Sequence, residues 1–188
     1  GEYAYKVKRP VVYPFIDLRS LARRAFFCEE ELRLNSRFAP ELYLDVCPIT
    51  LQDGQTLIGG SGDIVEYAVR MRQFECAEEL CRLLAAGRVE VRELEEFGRD
   101  IARRMATLPI ARPPQKWGSP EMVRELLLEN IAQCIKCFAP LGTQEQMRTL
   151  AESFKTMLPP LVPLMASRRA AGRVRECHGD LHSRNVVR

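Results

Sequence analysis

The only two histidines of this 188-residue chain, His178 and His182, stand four positions apart near its C-terminal end. They bracket Asp180 in Cys177-His178-Gly179-Asp180-Leu181-His182-Ser183-Arg184-Asn185-Val186-Val187, and Asn185 follows the aspartate by five residues. Three chemistries compete for that pattern. A zinc pair at i, i+4 needs a sustained helix with a glutamate beside the first histidine, and Gly179 argues against such a helix. A plain turn would use Asp180 and Asn185 as capping residues. Phosphoryl transfer needs a carboxylate to take the proton of the attacking hydroxyl and a neutral oxygen ligand for Mg²⁺. An aspartate followed five residues later by an asparagine supplies both on one tight loop, and the uncharged amide leaves room for the phosphate's own charge.

The elements that would position this loop fall into two textures. The first seventy residues mix strands with one helix. A Tyr- and Val-rich run from Tyr3 reads as a strand stopped at Arg9-Pro10. Asp17 or Ser20 can cap a helix from about Leu18 to Leu34, with Leu21, Phe27, Leu32 and Leu34 as its apolar positions. Pro40 closes that stretch, and strands are expected over 43–51 and 63–71. The glycines between them, Gly54 and Gly59-Gly60-Ser61-Gly62, lead from strand to strand, so they read as a flexible hairpin connection and not as a phosphate cradle.

From Phe74 onward the period is helical. Leu80, Leu83 and Leu84 line one helix, and Leu94, Phe97, Ile101 and Met105 line the next. Arg112-Pro113-Pro114 breaks the chain. Ser119 caps a long helix with Pro120 at its first position, which continues through Leu127, Ile131, Cys134 and Phe138. Gly142-Thr143 opens another helix, Pro159-Pro160 interrupts it, and a last helical piece runs to about Ala171.

Composition narrows the function classes. With 46% hydrophobic residues the chain can repay the entropy of ordering, and disorder is excluded. A net charge of +3 is too mild for a nucleic-acid surface. No apolar run reaches the length of a membrane span, and the N-terminus lacks the basic start and apolar core of a signal peptide. A cytoplasmic location is therefore expected, where the seven cysteines would stay reduced. Cys134 and Cys137 form a lone CxxC in a helical pattern, which reads as two ordinary helix positions. Only five of the basic residues are lysines (Lys6, Lys8, Lys116, Lys136, Lys155), so each one merits attention.

The segment His178 to Asn185 closely resembles the catalytic loop of the aminoglycoside phosphotransferase and choline kinase-like superfamily, whose members share the protein-kinase-like fold. Ala4-Tyr5-Lys6-Val7-Lys8 looks like the lysine strand of a bacterial branch of that superfamily. Cys28-Glu29-Glu30-Glu31-Leu32 looks like its glutamate helix, and Val65 to Met71 like the strand entering the hinge. The resemblance implies an α+β, protein-kinase-like fold: a sheet-plus-helix lobe over 1–71, then a mainly helical lobe over 72–188 that ends in the catalytic loop. It implies an ATP- and Mg²⁺-dependent transfer of the γ-phosphate to a hydroxyl of a small molecule. Asp180 would be the catalytic base, His178 a support of the loop, His182 a secondary residue and Asn185 a magnesium ligand. Lys6 would hold the ATP phosphates, with Lys8 on the same strand face as the alternative. Glu31 would be the lysine's partner, with Glu29 its rival, and Glu30 would face water. The adenine would lie against the hinge at about Val69 to Arg72, which includes Met71.

The resemblance also implies two strands and a phosphate-covering loop before Lys6 and a second metal-binding aspartate after Asn185. Five residues precede Lys6 and three follow Asn185, so the chain reads as partial at both ends. That feature motivates a second reading, a noncatalytic nucleotide-binding or regulatory module. A net basic chain suits a polycationic aminoglycoside poorly, which leaves the acceptor open among other hydroxylated molecules. Oligomeric state has no signature in the sequence.

Overall fold

In a computed structural model, residues 1–188 are described except Pro14, Ala139, Pro140, Leu141 and Thr143. The helix start expected at Gly142-Thr143 and the place of the Phe138 side chain lie outside the described residues. The chain is α+β. Contacts between residues group it into two compact units, Gly1–Ala106 with Cys177–Arg188, and Thr107–Glu176. A cut at residue 71 falls inside the first.

The first unit is built on an antiparallel sheet in the order β1-β6-β4-β5. Strand β1 covers Tyr3–Val7, β4 Tyr43–Gln52, β5 Gln55–Ile58 and β6 Asp63–Arg72, while β2 (Val12–Tyr13) and β3 (Ile16–Asp17) form a separate small hairpin. β1 ends before Pro10, which has no N–H to give a ladder; the Val11 N–H turns back to the Arg9 carbonyl at 2.8 Å. The glycine-bearing stretch after β4 is not a loose connection as expected, because it contains β5. Asp53 and Gly54, at φ 50° and 75°, make the two-residue turn that right-handed strand twist favours. Gly62 then runs so close to the Leu51 carbonyl that a Cβ would collide with it. These glycines tighten strand packing.

Helix α1 (Leu21–Asn35) follows β3 and is capped by Ser20, whose hydroxyl accepts the Arg23 N–H. Asp17, the other candidate cap, is instead held by Arg19 at 2.7 Å. The buried positions of α1 are Arg24 and Cys28, where leucines and Phe27 were expected to lead. Their spacing of four, extended by three to Glu31, makes one stripe along the helix. Arg24 donates to Glu66 of β6 at 2.7 Å and to the carbonyls of Leu18 and Arg19 at 3.0 and 2.7 Å. The Cys28 thiol lies 3.8 Å from the Tyr67 carbonyl. Helices α2 (Leu80–Ala85) and α3 (Val91–Thr107) follow β6.

The second unit holds α4 (Pro120–Phe138), α5 (Gln144–Met157) and α6 (Val162–Ala170) around Leu108, Ile131 and Leu158. Ser119 caps α4 as expected, accepting the Met122 N–H at 3.2 Å. A bridge between Ile110 and Arg175 closes the unit's two ends on one another. Among the described residues no helix is long and apolar enough to cross a membrane.

The Arg24–Glu66 ion pair joins α1 to β6 with side chains only 10% and 18% exposed. Breaking such a pair leaves one charge stranded, which costs about 3 kcal/mol, whereas removing both partners costs far less. Arg24→Met should therefore lower unfolding free energy by about that amount, and Arg24→Met with Glu66→Leu should recover at least half of it. All five tyrosines lie in the first unit and Trp117 lies in the second. Tyrosine absorbance during urea unfolding reads the loss in the first unit, where it occurs.

Candidate functional site

Two clusters in the first unit contain the residues singled out from the sequence. The first joins β1 to α1. Lys6 Nζ donates to Glu31 Oε1 at 2.7 Å, and Lys8 Nζ donates to Glu31 Oε2. The structure thus brings Glu31 together with both candidate lysines, while Glu29 is exposed and Glu30 pairs with Arg33 on its own helix. The side chains differ sharply in burial, at 10% exposed for Glu31, 19% for Lys8 and 57% for Lys6.

Burial alone would push the Glu31 carboxyl up, but the hydrogen bonds from Lys6 and Lys8 outweigh it and hold the carboxyl below its usual 4.5. Burial likewise opposes the charge on Lys6, and the bond to Glu31 more than compensates, raising the ammonium above its usual 10.5. Cys28 and Tyr43 face the same cluster. Burial and then the Glu31 charge push the Tyr43 hydroxyl up, and burial pushes the Cys28 thiol up against the nearby Lys8 charge, so both stay neutral.

Val69 and Met71 lie in β6, paired in register with Lys6 and Ala4 of β1 and with Val46 and Tyr43 of β4. Val69 is fully buried. A strand flanked on both sides commits its backbone groups to the two ladders. The ladder bonding persists to Gln73, whose N–H reaches the Glu2 carbonyl at 3.0 Å. Sequence pattern placed the strand correctly but could not show that its last residues are enclosed.

The second cluster is the loop from His178 to Asn185. Gly179 sits at φ +79°, outside helical space, and a short 3₁₀ turn covers Ser183–Asn185. The Asn185 amide nitrogen donates to the Asp180 carbonyl at 2.9 Å and to Asp180 Oδ2 at 3.1 Å. Its donor end is thereby used on Asp180 and lies beside His182, and Oδ1 is its remaining acceptor. The Asp180 side chain is 76% exposed. His178 Nδ1 accepts the Asp180 N–H at 3.3 Å, and its ring stands edge-on to Phe38 with centroids 5.6 Å apart. His182 Nδ1 accepts the Arg184 N–H at 3.2 Å, while its Nε2 lies 3.1 Å from the Asn185 amide nitrogen and 3.7 Å from Asp180 Oδ1.

Three contacts hold the loop's C-terminal side. Val187 bridges to Glu79, the Leu80 N–H reaches the Val186 carbonyl at 2.9 Å, and the Arg188 N–H reaches the Glu78 carbonyl at 3.1 Å. Arg188 also pairs with Glu93 of α3 at 2.9 Å. Among the described residues no three His, Cys, Asp or Glu side chains are grouped to hold a metal. Cys134 and Cys137 are free thiols on α4. Sequence reasoning missed Phe38 and Arg24. The spacing of Arg24, Cys28 and Glu31 was the available signal for the second, and nothing local announced the first.

No family model matches this chain, and no solved structure matches it. It is similar to proteins of Mycobacterium bovis and of two strains of Mycobacterium tuberculosis, all described as uncharacterized, at 25% identity over 181 residues. That alignment takes in 96% of this chain and 35% of theirs. The chain thus spans about a third of the length of the curated relatives it matches.

The Glu31 cluster sets an expected pH response. A depressed carboxyl contributes stability that is present above 4.5 and is lost as pH falls through its folded value. The raised Lys6 contributes below 10.5 and is lost as pH climbs through its folded value. Glu31→Gln should accordingly cost about 3 kcal/mol at neutral pH. The gap from wild type should narrow steadily below pH 4.5, as read by the tyrosine transition in urea at a series of pH values.

Proposed function

We propose that this chain carries the nucleotide-handling part of a phosphotransferase with the protein-kinase-like fold, moving the γ-phosphate of ATP to a hydroxyl of a small molecule. The observation that carries this reading is the Asp180–Asn185 pair. The Asn185 amide nitrogen holds both the Asp180 backbone carbonyl and its carboxylate, while that carboxylate stays exposed to an incoming hydroxyl. The ion-paired lysine and glutamate on β1 and α1, and the strand order around β1, β6 and β4, support it further.

The donor set suits magnesium, which favours oxygen ligands and keeps most of its water and phosphate partners. Asn185 Oδ1 would hold it, and when bound it would neutralise charge on the phosphates. The remaining work falls to the chain's own residues. Lys6, the more exposed ammonium, meets phosphate oxygens. Asp180 orients the acceptor hydroxyl and takes its proton as the oxygen bonds to the γ-phosphorus and the bond to the ADP oxygen breaks. His178 positions Asp180 through its backbone N–H, and Phe38 steadies the His178 ring. Adenine would meet the backbone at Phe74 and Glu75, with Met71 beside it. The acceptor is a hydroxylated molecule without strong positive charge, in keeping with a chain whose net charge is +3.

Calorimetry with ATP tests the reading directly. Heat that requires Mg²⁺, and that weakens about tenfold or more in Asn185→Ala, is the expected result. Asp180→Asn should bind nucleotide with the fold intact and lose about 10²- to 10⁴-fold in phosphate transfer. Nucleotide binding indifferent to Mg²⁺ would point instead to a noncatalytic module, and no heat at all would remove both readings.

A further inference from the structure

We propose that the free edge of β5 is a self-association surface. Two copies of this chain pair β5 with β5, antiparallel, about a two-fold axis at Leu57, and their sheets join into one. The proposal stands apart from the phosphotransferase reading and uses none of its residues.

β5 stands at one end of the sheet, paired with β4 in an unbroken register. Gln52 and Gln55 flank the two-residue turn at Asp53 and Gly54, and such a flanking pair exchanges both its hydrogen bonds. Alternation along the strand then turns the N–H and C=O of Gln55 and Leu57 toward β4, and those of Thr56 and Ile58 away from it. The Gly59 N–H, bonded to the Pro48 carbonyl at 2.8 Å, continues the inward set. An edge of this kind is a template for another strand, and proteins commonly blunt it with charge, proline or a bulge. The opposite edge has such devices, since β1 carries Lys6 and is followed by Lys8, Arg9 and Pro10. Gln55-Thr56-Leu57-Ile58 has none. All four residues are exposed, Leu57 by 40% and Ile58 by 50%.

A second copy is the occupant that this register selects. The outward groups lie at 56 and 58, symmetric about 57. A two-fold axis there sets Thr56 opposite Ile58 of the other copy and satisfies every outward group of both strands. Leu57 then faces Leu57 of the other copy in the closer, non-hydrogen-bonded pairing, and on the opposite face Ile58 packs beside Thr56 of the other strand. The charges agree. The strand itself is uncharged, and in that register Asp53 falls opposite Ser61 of the other copy and Gly54 opposite Gly60. No like charges are brought together, and two exposed apolar side chains from each copy are covered.

Sedimentation equilibrium of the full chain reads the association. An interface this small belongs to the weak class, so the average mass should climb from monomer toward dimer between about 1 and 500 µM. Thr56→Pro removes an outward N–H and leaves the ladder to β4 intact, and should weaken association about tenfold or more. Leu57→Lys changes no backbone group, sets two ammonium groups against each other at the axis, and should weaken it at least as much. Both replaced groups face solvent in the monomer, so the urea midpoint read by tyrosine absorbance should stay close to wild type in each. If Thr56→Pro lowers that midpoint, Leu57→Lys decides. Register is read separately by mild oxidation. Leu57→Cys should give a disulfide joining the two copies at position 57, located by mass spectrometry of the peptides, because that pairing sets the Cα atoms about 4.5 Å apart. Thr56→Cys should give none at position 56, where the two Cα atoms stand about 8 Å apart. A monomer at every concentration overturns the proposal. So does a dimer undiminished in Leu57→Lys, or cross-linking at 56 as ready as at 57.

Discussion

Glu31 is a nine-tenths buried carboxylate held in its charged form, and a charge can be kept in such a place only where cations meet it at hydrogen-bond range. Lys6 of β1 and Lys8 just past its end do so. The strand and the helix are thereby fixed in a single relative position, since slipping β1 by one residue would turn both lysines to the opposite face of the sheet. The same helix reaches further in both directions. About two turns before Glu31, Arg24 ties it to β6 through Glu66. Just past its end, Phe38 packs against the His178 ring of the loop that holds Asp180. Helix α1 is thus the rigid member through which the lysine strand, the central strand and the aspartate loop are all referred to one another.

That arrangement explains which parts could be read from the amino-acid order. Helix ends were legible where a local chemical device sets them, as with Ser20 before α1 and Ser119 before α4. Strand spans β4 and β6 were legible from their β-branched and aromatic content. The short strand β5 was hidden, because Gln55-Thr56-Leu57-Ile58 is bounded so closely by glycines that composition suggests a turn. The buried face of α1 was hidden for a different reason. Hydrophobic periodicity looks for leucine and phenylalanine, and this face is built from an arginine, a cysteine and a glutamate. Its members satisfy one another through partners far away in sequence, which no local pattern records.

The candidate site divides along the same line. Asp180 and Asn185 could be proposed because their chemistry needs them on one tight loop, and the distance between them is set by neighbouring residues. The choice between Lys6 and Lys8, or between Glu31 and Glu29, depended on which side of a helix meets which side of a strand. Three consecutive carboxylates at 29–31 offer every orientation in turn, and only packing selects Glu31. The hinge residues show the converse. Val69 and Met71 lie on the expected strand, yet enclosure between β1 and β4 commits their backbones to the two ladders.

The aspartate loop itself is built to hold a geometry without a core of its own. Asp180, His182 and Asn185 are exposed, so hydrophobic burial does little to order them. Order comes from short-range bonds instead. The two histidine rings each accept a backbone N–H two residues ahead, and the Asn185 amide closes the turn onto Asp180. The pairing of 186–188 with 78–80 then clamps the loop's far end to the segment that follows β6. A reactive carboxylate must be reachable by its substrates and still be held to a fraction of an ångström. In the proposed phosphotransferase, ordering Asp180 by hydrogen bonds to its own loop, anchored at His178 on one side and at 186–188 on the other, would meet both demands without burying the carboxylate.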